Sequence, residues 1–166
     1  MKLIRALVLG AVALGLAACG EPSKFRSYDG PEVTRINVFK GERLMQLMHH
    51  DQLLASYYID LGRTPEGQKQ REGDGRTPEG IYLIDRRNPN SAFHLSLGIS
   101  YPEPSDELRA KEAGDKPGGD IFIHGRGPRF QNPPRDWTEG CIAVTDREME
   151  DIYAMVQVGT PILILP

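Results

Sequence analysis

Residues 136–145 read DWTEGCIAVT, a stretch that places Cys141 between a glycine and a run of small apolar residues. The chain has 166 residues and only one other cysteine, Cys19 near its start. The segment CIAV has the apolar character of a short buried strand, and Gly140 removes a side chain immediately before the thiol. A cysteine at the start of a strand, with open space beside it, is a candidate nucleophile.

A histidine ends a second apolar stretch upstream of this cysteine. Residues 120–124 read DIFIH, which predicts a strand, and Gly125 follows His124. Strand ends that open to a common loop are where a rigid scaffold presents reactive groups, and a neighbouring imidazole can take the proton of a thiol. Spacing alone leaves two interpretations open: a reactive His124–Cys141 pair, or a buried cysteine beside a structural histidine.

The N-terminus predicts export and anchoring. A short basic region at residues 1–5 precedes an apolar run that is too short to span a membrane comfortably. The run ends in LAAC at residues 16–19, which resembles a bacterial lipobox; the alternative is an ordinary signal peptide with an incidental cysteine. We therefore predict a lipoprotein signal peptide at 1–18, a lipidated Cys19 and a flexible tether over 19–32.

This anchor has consequences for location and for the thiol. By resemblance to Gram-negative lipoproteins, Gly20 in place of aspartate favours the outer membrane, with the domain facing the periplasm. A lipidated Cys19 also leaves Cys141 without a disulfide partner in an oxidising compartment.

Composition limits the other classes of function. The net charge of -3 argues against nucleic-acid binding, and no later segment is apolar and long enough for a transmembrane helix. His49, His50 and His94 have no suitably spaced cysteine or carboxylate partners, so we predict no metal site.

From residue 33 onward the pattern is mainly β. RLMQLMH and LLASYYIDL flank the polar HHDQ and predict a hairpin, whereas residues 62–79 contain too many Gly, Pro and charged residues for regular structure. One helix is predicted from an N-cap serine at Ser105 through Ala113, and another from a capping box of Thr145 with Glu148. TPILILP closes the chain as a strand. The prediction is a mainly β domain with two short helices.

Three motifs in order resemble the YkuD-type L,D-transpeptidase family. EGDGRTPEGIYLI at residues 72–84 matches the family's Gly-Asp-x-x-Thr-Pro-x-Gly-x-Tyr segment. PGGDIFIHG at 117–125 matches its lead into the histidine strand, and TEGCIAV at 138–144 matches its Ser/Thr-x-Gly-Cys signature. The resemblance covers nearly all of residues 33–166, which we therefore predict to be one catalytic domain.

The resemblance implies a single β-sandwich-like domain that acts on peptidoglycan stem peptides without a metal or another cofactor. In the family, the cysteine attacks the carbonyl of the third residue of a tetrapeptide, usually diaminopimelate, and releases D-alanine. The thioester then passes the peptide to an amine or to water. The resemblance assigns Cys141 as nucleophile, His124 as general base, and the backbone N–H groups of Gly140 and Cys141 to the oxyanion.

Four further residues are assigned more loosely by the same resemblance. The hydroxyl of Thr138 would support either the loop or the histidine. Thr138, Gly125, Arg126 and Trp137 are also candidate substrate-binding residues, with packing in the core as the alternative for Trp137.

Two positions depart from the family pattern. Glu139 and Ala143 stand where many members have histidine and arginine or asparagine. Because an arginine beside a nucleophile suits carboxylate binding, we expect altered acceptor recognition or a substitute arginine from the loop, with Arg126, Arg129 and Arg135 as the candidates.

Three functional hypotheses follow. The first is a transpeptidase. The second is a hydrolase of the same fold, because the motifs are closer to a periplasmic subgroup that includes an enzyme detaching murein lipoprotein from peptidoglycan; it would cleave diaminopimelate-linked bonds such as that attachment. The third is a non-catalytic lipoprotein that binds the wall.

Overall fold

A computed structural model of the chain describes residues 23–166, so Cys19 and the signal peptide predicted at 1–18 lie outside the described residues. Within 23–166, neither helix has the length and apolarity needed to cross a membrane. The elements in chain order are β1 (Arg35–Phe39), β2 (Leu44–His49), β3 (Gln52–Tyr58), β4 (Gly80–Asn88), β5 (Ser96–Ile99), α1 (Pro104–Glu112), β6 (Phe122–His124), β7 (Ile142–Ala143), α2 (Asp146–Met155) and β8 (Pro161–Leu165).

The strands form one curled sheet in the order β3-β2-β1-β8-β4-β5-β6-β7. β1 pairs with β8 in parallel, as β6 does with β7, and the other neighbours are antiparallel. The nine-residue β4 pairs first with β8 and then with β5, and its register shifts between Ile84 and Arg86. Such an irregularity bends a strand, so β5, β6 and β7 turn away from the part of the sheet formed by β3, β2, β1, β8 and β4.

The core lies on the inner face of this curl. β1 and β2 alternate buried and half-buried positions, as expected for strands with one covered face, whereas all four residues of β5 are buried. α2 packs against β5 and β6 through one apolar stripe, Met149, Ile152 and Tyr153. α2 thereby holds the strand that carries His124 against the rest of the sheet.

The predicted mainly β architecture with two short helices is confirmed. β2 and β3 form the expected antiparallel hairpin, turning at His50 and Asp51, and residues 62–79 contain no helix or multi-residue strand. Thr145 caps α2 as predicted, because its hydroxyl accepts the N–H of Glu148 and the Glu148 carboxylate accepts the N–H of Thr145.

The start of α1 differs from the prediction. Its N-cap is Glu103, whose N–H donates to the Asp106 side chain at 3.1 Å, and Pro104 occupies the first helical position. A proline is well suited to that position because its missing N–H would be unpaired there anyway, so the helix begins before the predicted cap at Ser105.

Residues 23–32 contain no helix or strand and are mostly exposed, but two of their side chains bind the domain. The Lys24 ammonium donates to the carbonyls of Pro89 and His94, and the Arg26 guanidinium pairs with the carboxylates of Glu150 and Asp151. The boundaries assigned to the signal peptide, tether and domain stay predictions.

Candidate active site

The structure brings the two sequence-predicted reactive residues to one cavity. β6 ends at His124 and runs parallel to β7, which begins directly after Cys141. The imidazole and the thiol both line a cavity of about 300 Å³, here called the histidine cavity, whose walls include Phe93 and Phe122. Adjacent parallel strands therefore present an imidazole and a thiol to the same space, a pair of groups that can act as base and nucleophile.

The imidazole of His124 is fixed in one tautomer. Its Nδ1 lies 2.6 Å from the carbonyl oxygen of Gly125, which can only accept, so Nδ1 carries the proton and Nε2 keeps its lone pair. The side chain is only 3% exposed, with the rings of Phe93 and Trp137 centred 4.5 and 5.7 Å from its own. This burial lowers the pKa of His124 below its ordinary value. At neutral pH it is an uncharged base.

The thiol of Cys141 is held in its protonated form. Burial raises its pKa to about 11, although the N–H of Phe122 and the charge of Lys69 act in the opposite direction. The Sγ atom donates to the carbonyl of Asp120 at 3.5 Å. A protonated thiol is a poor nucleophile and oxidises slowly, so Cys141 gains reactivity only when a base such as His124 removes its proton.

The hydroxyl of Thr138 supports the cysteine loop. It donates to the carbonyl of Cys141 at 2.8 Å and accepts the N–H of Gly140 at 3.2 Å. Of the two predicted alternatives, loop or histidine, these contacts are those of the loop. The N–H of Gly140 is thus already bonded, whereas the N–H of Cys141 has no acceptor within residues 23–166. Of these two N–H groups, that of Cys141 is the one left free to hold an oxyanion.

Gly140 meets a backbone constraint that no other residue satisfies easily. Its φ is +131°, and a Cβ at this position would lie 2.6 Å from the carbonyl oxygen of Arg76. The chain can therefore turn into Cys141 only if position 140 has no side chain.

We expect Gly140→Ala to destabilise the fold by about 1–3 kcal/mol, since it adds both backbone strain and a steric clash, and to lower turnover by displacing Cys141. Thermal unfolding and a turnover assay measure the two effects. Gly114→Ala is the matched control, because Gly114 has φ +77° but nothing within 4 Å of its would-be Cβ. Gly114→Ala should lower stability but leave turnover unchanged. Equal turnover for the two variants would contradict the role of Gly140 in positioning Cys141.

Of the other residues assigned loosely to substrate binding, Gly125 and Trp137 lie beside His124. Gly125 holds the imidazole through its carbonyl, and Arg126 pairs with Asp60 at 3.7 Å outside the histidine cavity. Trp137 stacks on Phe130 at 4.5 Å between ring centres and meets the His124 ring edge-on. Gly125 and Trp137 thus contact the histidine directly, and Arg126 does not.

Sequence reasoning missed Asp146 and Phe93. The Asp146 carboxylate accepts the N–H groups of Arg126 and Gly127 at 2.6 and 2.8 Å, which fixes the loop after His124, and its charge acts to raise the pKa of that histidine. Neither residue had a distinguishing signal, since an acidic residue in the first turn of a helix is ordinary. Over residues 23–166, no group of three His, Cys, Asp or Glu side chains could hold a metal ion.

The sheet is curled and mainly β, with a His-Gly motif at the end of β6 and a Thr-x-Gly-Cys motif directly before the neighbouring parallel strand β7. This is an L,D-transpeptidase-type domain. The family profile of the YkuD L,D-transpeptidase catalytic domain matches residues 33–164, and the chain belongs to this family.

The chain is similar in sequence or in fold to several individual proteins. The chain is 31% identical over 127 residues to the "Putative L,D-transpeptidase YafK" of Escherichia coli (strain K12), which covers 73% of this chain and 46% of YafK. Bd1075 of Bdellovibrio bacteriovorus has a TM-score of 0.58 at 26% identity, over 81% of this chain and 48% of that one. The helical cell shape determining protein Pgp2 from Campylobacter jejuni shares the fold, with a TM-score of 0.64 at 22% identity, over 87% and 51%. The chain spans about half the length of these relatives.

Proposed function

We propose that this chain is a cysteine-dependent L,D-transpeptidase that acts on peptidoglycan stem peptides through a thioester acyl-enzyme. The observation that carries the proposal is the histidine cavity, where a neutral imidazole with a fixed tautomer and a protonated thiol line the same space. Membership of the family supports the substrate class, and the two side chains supply the chemistry of acyl transfer.

In the first half of the reaction, Nε2 of His124 takes the thiol proton of Cys141 as Sγ attacks the carbonyl carbon of the third stem residue. A C–S bond forms, and the carbonyl oxygen becomes an oxyanion that the N–H of Cys141 can stabilise. Collapse of this intermediate breaks the C–N bond. The His124 imidazolium then gives its proton to the departing amine of D-alanine, which leaves a thioester on Cys141.

In the second half, an amine acceptor attacks the thioester carbonyl while Nε2 of His124 takes its proton. The C–S bond breaks, the acyl group leaves on the acceptor nitrogen, and the Cys141 thiolate regains a proton from the imidazolium. Water in place of the amine gives the hydrolase, which differs only in the second nucleophile.

We further propose that the domain works at the cell envelope, anchored by lipid at Cys19 to the outer membrane and facing the periplasm. The support is the LAAC stretch and the small, uncharged Gly20 after it. A membrane tether would keep the site beside its polymeric substrate, with murein lipoprotein as a further candidate partner.

The proposal is tested with purified muropeptides in the presence of an amine acceptor such as glycine. We expect new amide-linked products that Cys141→Ala does not form, detected by mass spectrometry of the released muropeptides. Shortened or released products without transfer would identify the hydrolase instead. If the protein binds peptidoglycan but converts none of it, both enzymatic hypotheses fail and the protein is a wall-binding lipoprotein.

A further inference from the structure

A second cavity of about 310 Å³ opens at Cys141, and its lining differs from that of the histidine cavity. Lys69 contributes to its wall, so we call it the lysine cavity; only Asp120 and Cys141 line both spaces. His124 lines the histidine cavity and not the lysine cavity. Because His124 gives a proton to the leaving amine, that amine lies in the histidine cavity. The third residue of the donor is attached to the other side of the attacked carbonyl carbon, so it extends into the lysine cavity.

Lys69 is a buried cation with a free donor. Its side chain is 3% exposed, and its ammonium donates to the Asp74 carboxylate at 2.8 Å and to the Arg71 carbonyl at 3.1 Å. An ammonium has three N–H groups, and two of them have acceptors among residues 23–166, which leaves one for a ligand. The position of Lys69 is fixed, because Asp74 also accepts the backbone N–H groups of Gln70, Arg71 and Arg76.

The Asp74 carboxylate stays ionised at neutral pH. Although burial opposes ionisation of Asp74, the Lys69 ammonium and the backbone N–H groups lower the pKa of that carboxyl to about 2. Lys69, held by this carboxylate at 2.8 Å, lines a cavity that reaches Cys141.

The rim of the lysine cavity has the opposite charge. Glu72, Asp120 and Glu139 lie there, all exposed, and Glu139 is held by the guanidinium of Arg63. The inner ammonium of Lys69 can pair with a ligand carboxylate, and the outer carboxylates can pair with a ligand ammonium. The cavity therefore matches a ligand group that carries a carboxylate and an ammonium on one carbon. Diaminopimelate ends in such a group, whereas lysine lacks the carboxylate.

We propose that the lysine cavity binds the zwitterionic end of the donor's third residue, with Lys69 as the specificity-determining residue that donates to its carboxylate. This inference rests on the proposed function and names the determinant of its donor specificity. It also accounts for Ala143: the arginine that many members carry there is absent, and Arg126, Arg129 and Arg135 line neither cavity at Cys141. The cation comes instead from the 62–79 loop.

The test compares two tetrapeptide donors that differ only in the third residue, diaminopimelate or lysine. Wild type should prefer the diaminopimelate donor in kcat/KM by roughly 10- to 100-fold, the usual effect of one hydrogen bond between charged groups. Lys69→Met should bring this ratio close to one by losing activity on the diaminopimelate donor. Lys111→Met, an exposed lysine on α1, is the matched control and should keep the wild-type ratio.

A purely structural role for Lys69 would lower both rates together and leave the ratio unchanged, which would overturn the inference. Because Lys69→Met leaves Asp74 buried without its cation, Lys69→Met/Asp74→Asn provides a charge-balanced second variant with the same expected ratio. Wild type that turns over both donors equally also overturns the inference, whatever the variants do. Wild type that turns over neither donor overturns the proposed function itself.

Discussion

Cys141→Ser should lower kcat/KM for acyl transfer by at least about 10⁴-fold while leaving the fold intact. The substitution replaces one atom at a half-buried site, so the cavity, the Thr138 bonds and the β6–β7 pairing are retained. A serine hydroxyl is far harder to ionise than a thiol. His124, whose pKa is lowered by burial, is a weaker base than an ordinary histidine and so cannot make up this difference. The nucleophile is lost without loss of the scaffold.

The measurement is turnover of a tetrapeptide donor, with circular dichroism and thermal unfolding to establish that the variant is folded. Cys141→Ala is the matched control and should be equally inactive, since neither variant forms a thioester. Activity of Cys141→Ser within tenfold of wild type would contradict the assignment of Cys141 as nucleophile.

His124→Gln should lower kcat/KM by about 10²- to 10⁴-fold at neutral pH, the usual contribution of a positioned general base. The amide can keep a hydrogen bond to Gly125 but cannot take the thiol proton. With the pKa of Cys141 raised to about 11, only about one thiol in 10⁴ is ionised at pH 7 without help. The variant is limited by this small thiolate fraction.

The pH profile separates loss of a base from loss of structure. Wild type needs neutral His124, whose pKa lies below its ordinary value, so its activity should fall only in acid, below about pH 6.5. His124→Gln should instead gain about tenfold per pH unit as the thiol ionises towards its own pKa. A flat profile for a folded His124→Gln variant would contradict the general-base role.

Local sequence patterns predicted those parts of the fold whose determinants are local. The alternation in RLMQLMH and the polar HHDQ gave the β2–β3 hairpin, and Thr145 with Glu148 gave the start of α2. The pairing of the last strand was beyond such patterns. β8 lies between β1 and β4, and its parallel pairing with β1 joins segments more than a hundred residues apart. Register across that distance depends on packing of the whole core.

The sequence predicted the two reactive residues of the candidate site and a supporting role for Thr138, but it did not predict the roles of Asp146 and Phe93. His124 and Cys141 follow from motifs, and the structure places both on one cavity. Lys69 was predicted only as part of the polar loop at 62–79, because the local sequence does not distinguish a buried lysine from an exposed one. The bond that occupies the N–H of Gly140 depends on the rotamer of Thr138, which a motif does not encode.

The central claim, that Cys141 becomes acylated, is tested most directly by intact mass spectrometry after incubation with a carbapenem, which acylates many active enzymes of the family. We predict one covalent adduct per chain, located by peptide mapping on the fragment that contains Cys141 and absent from Cys141→Ala. No adduct on folded wild type, or an equal adduct on Cys141→Ala, would contradict it.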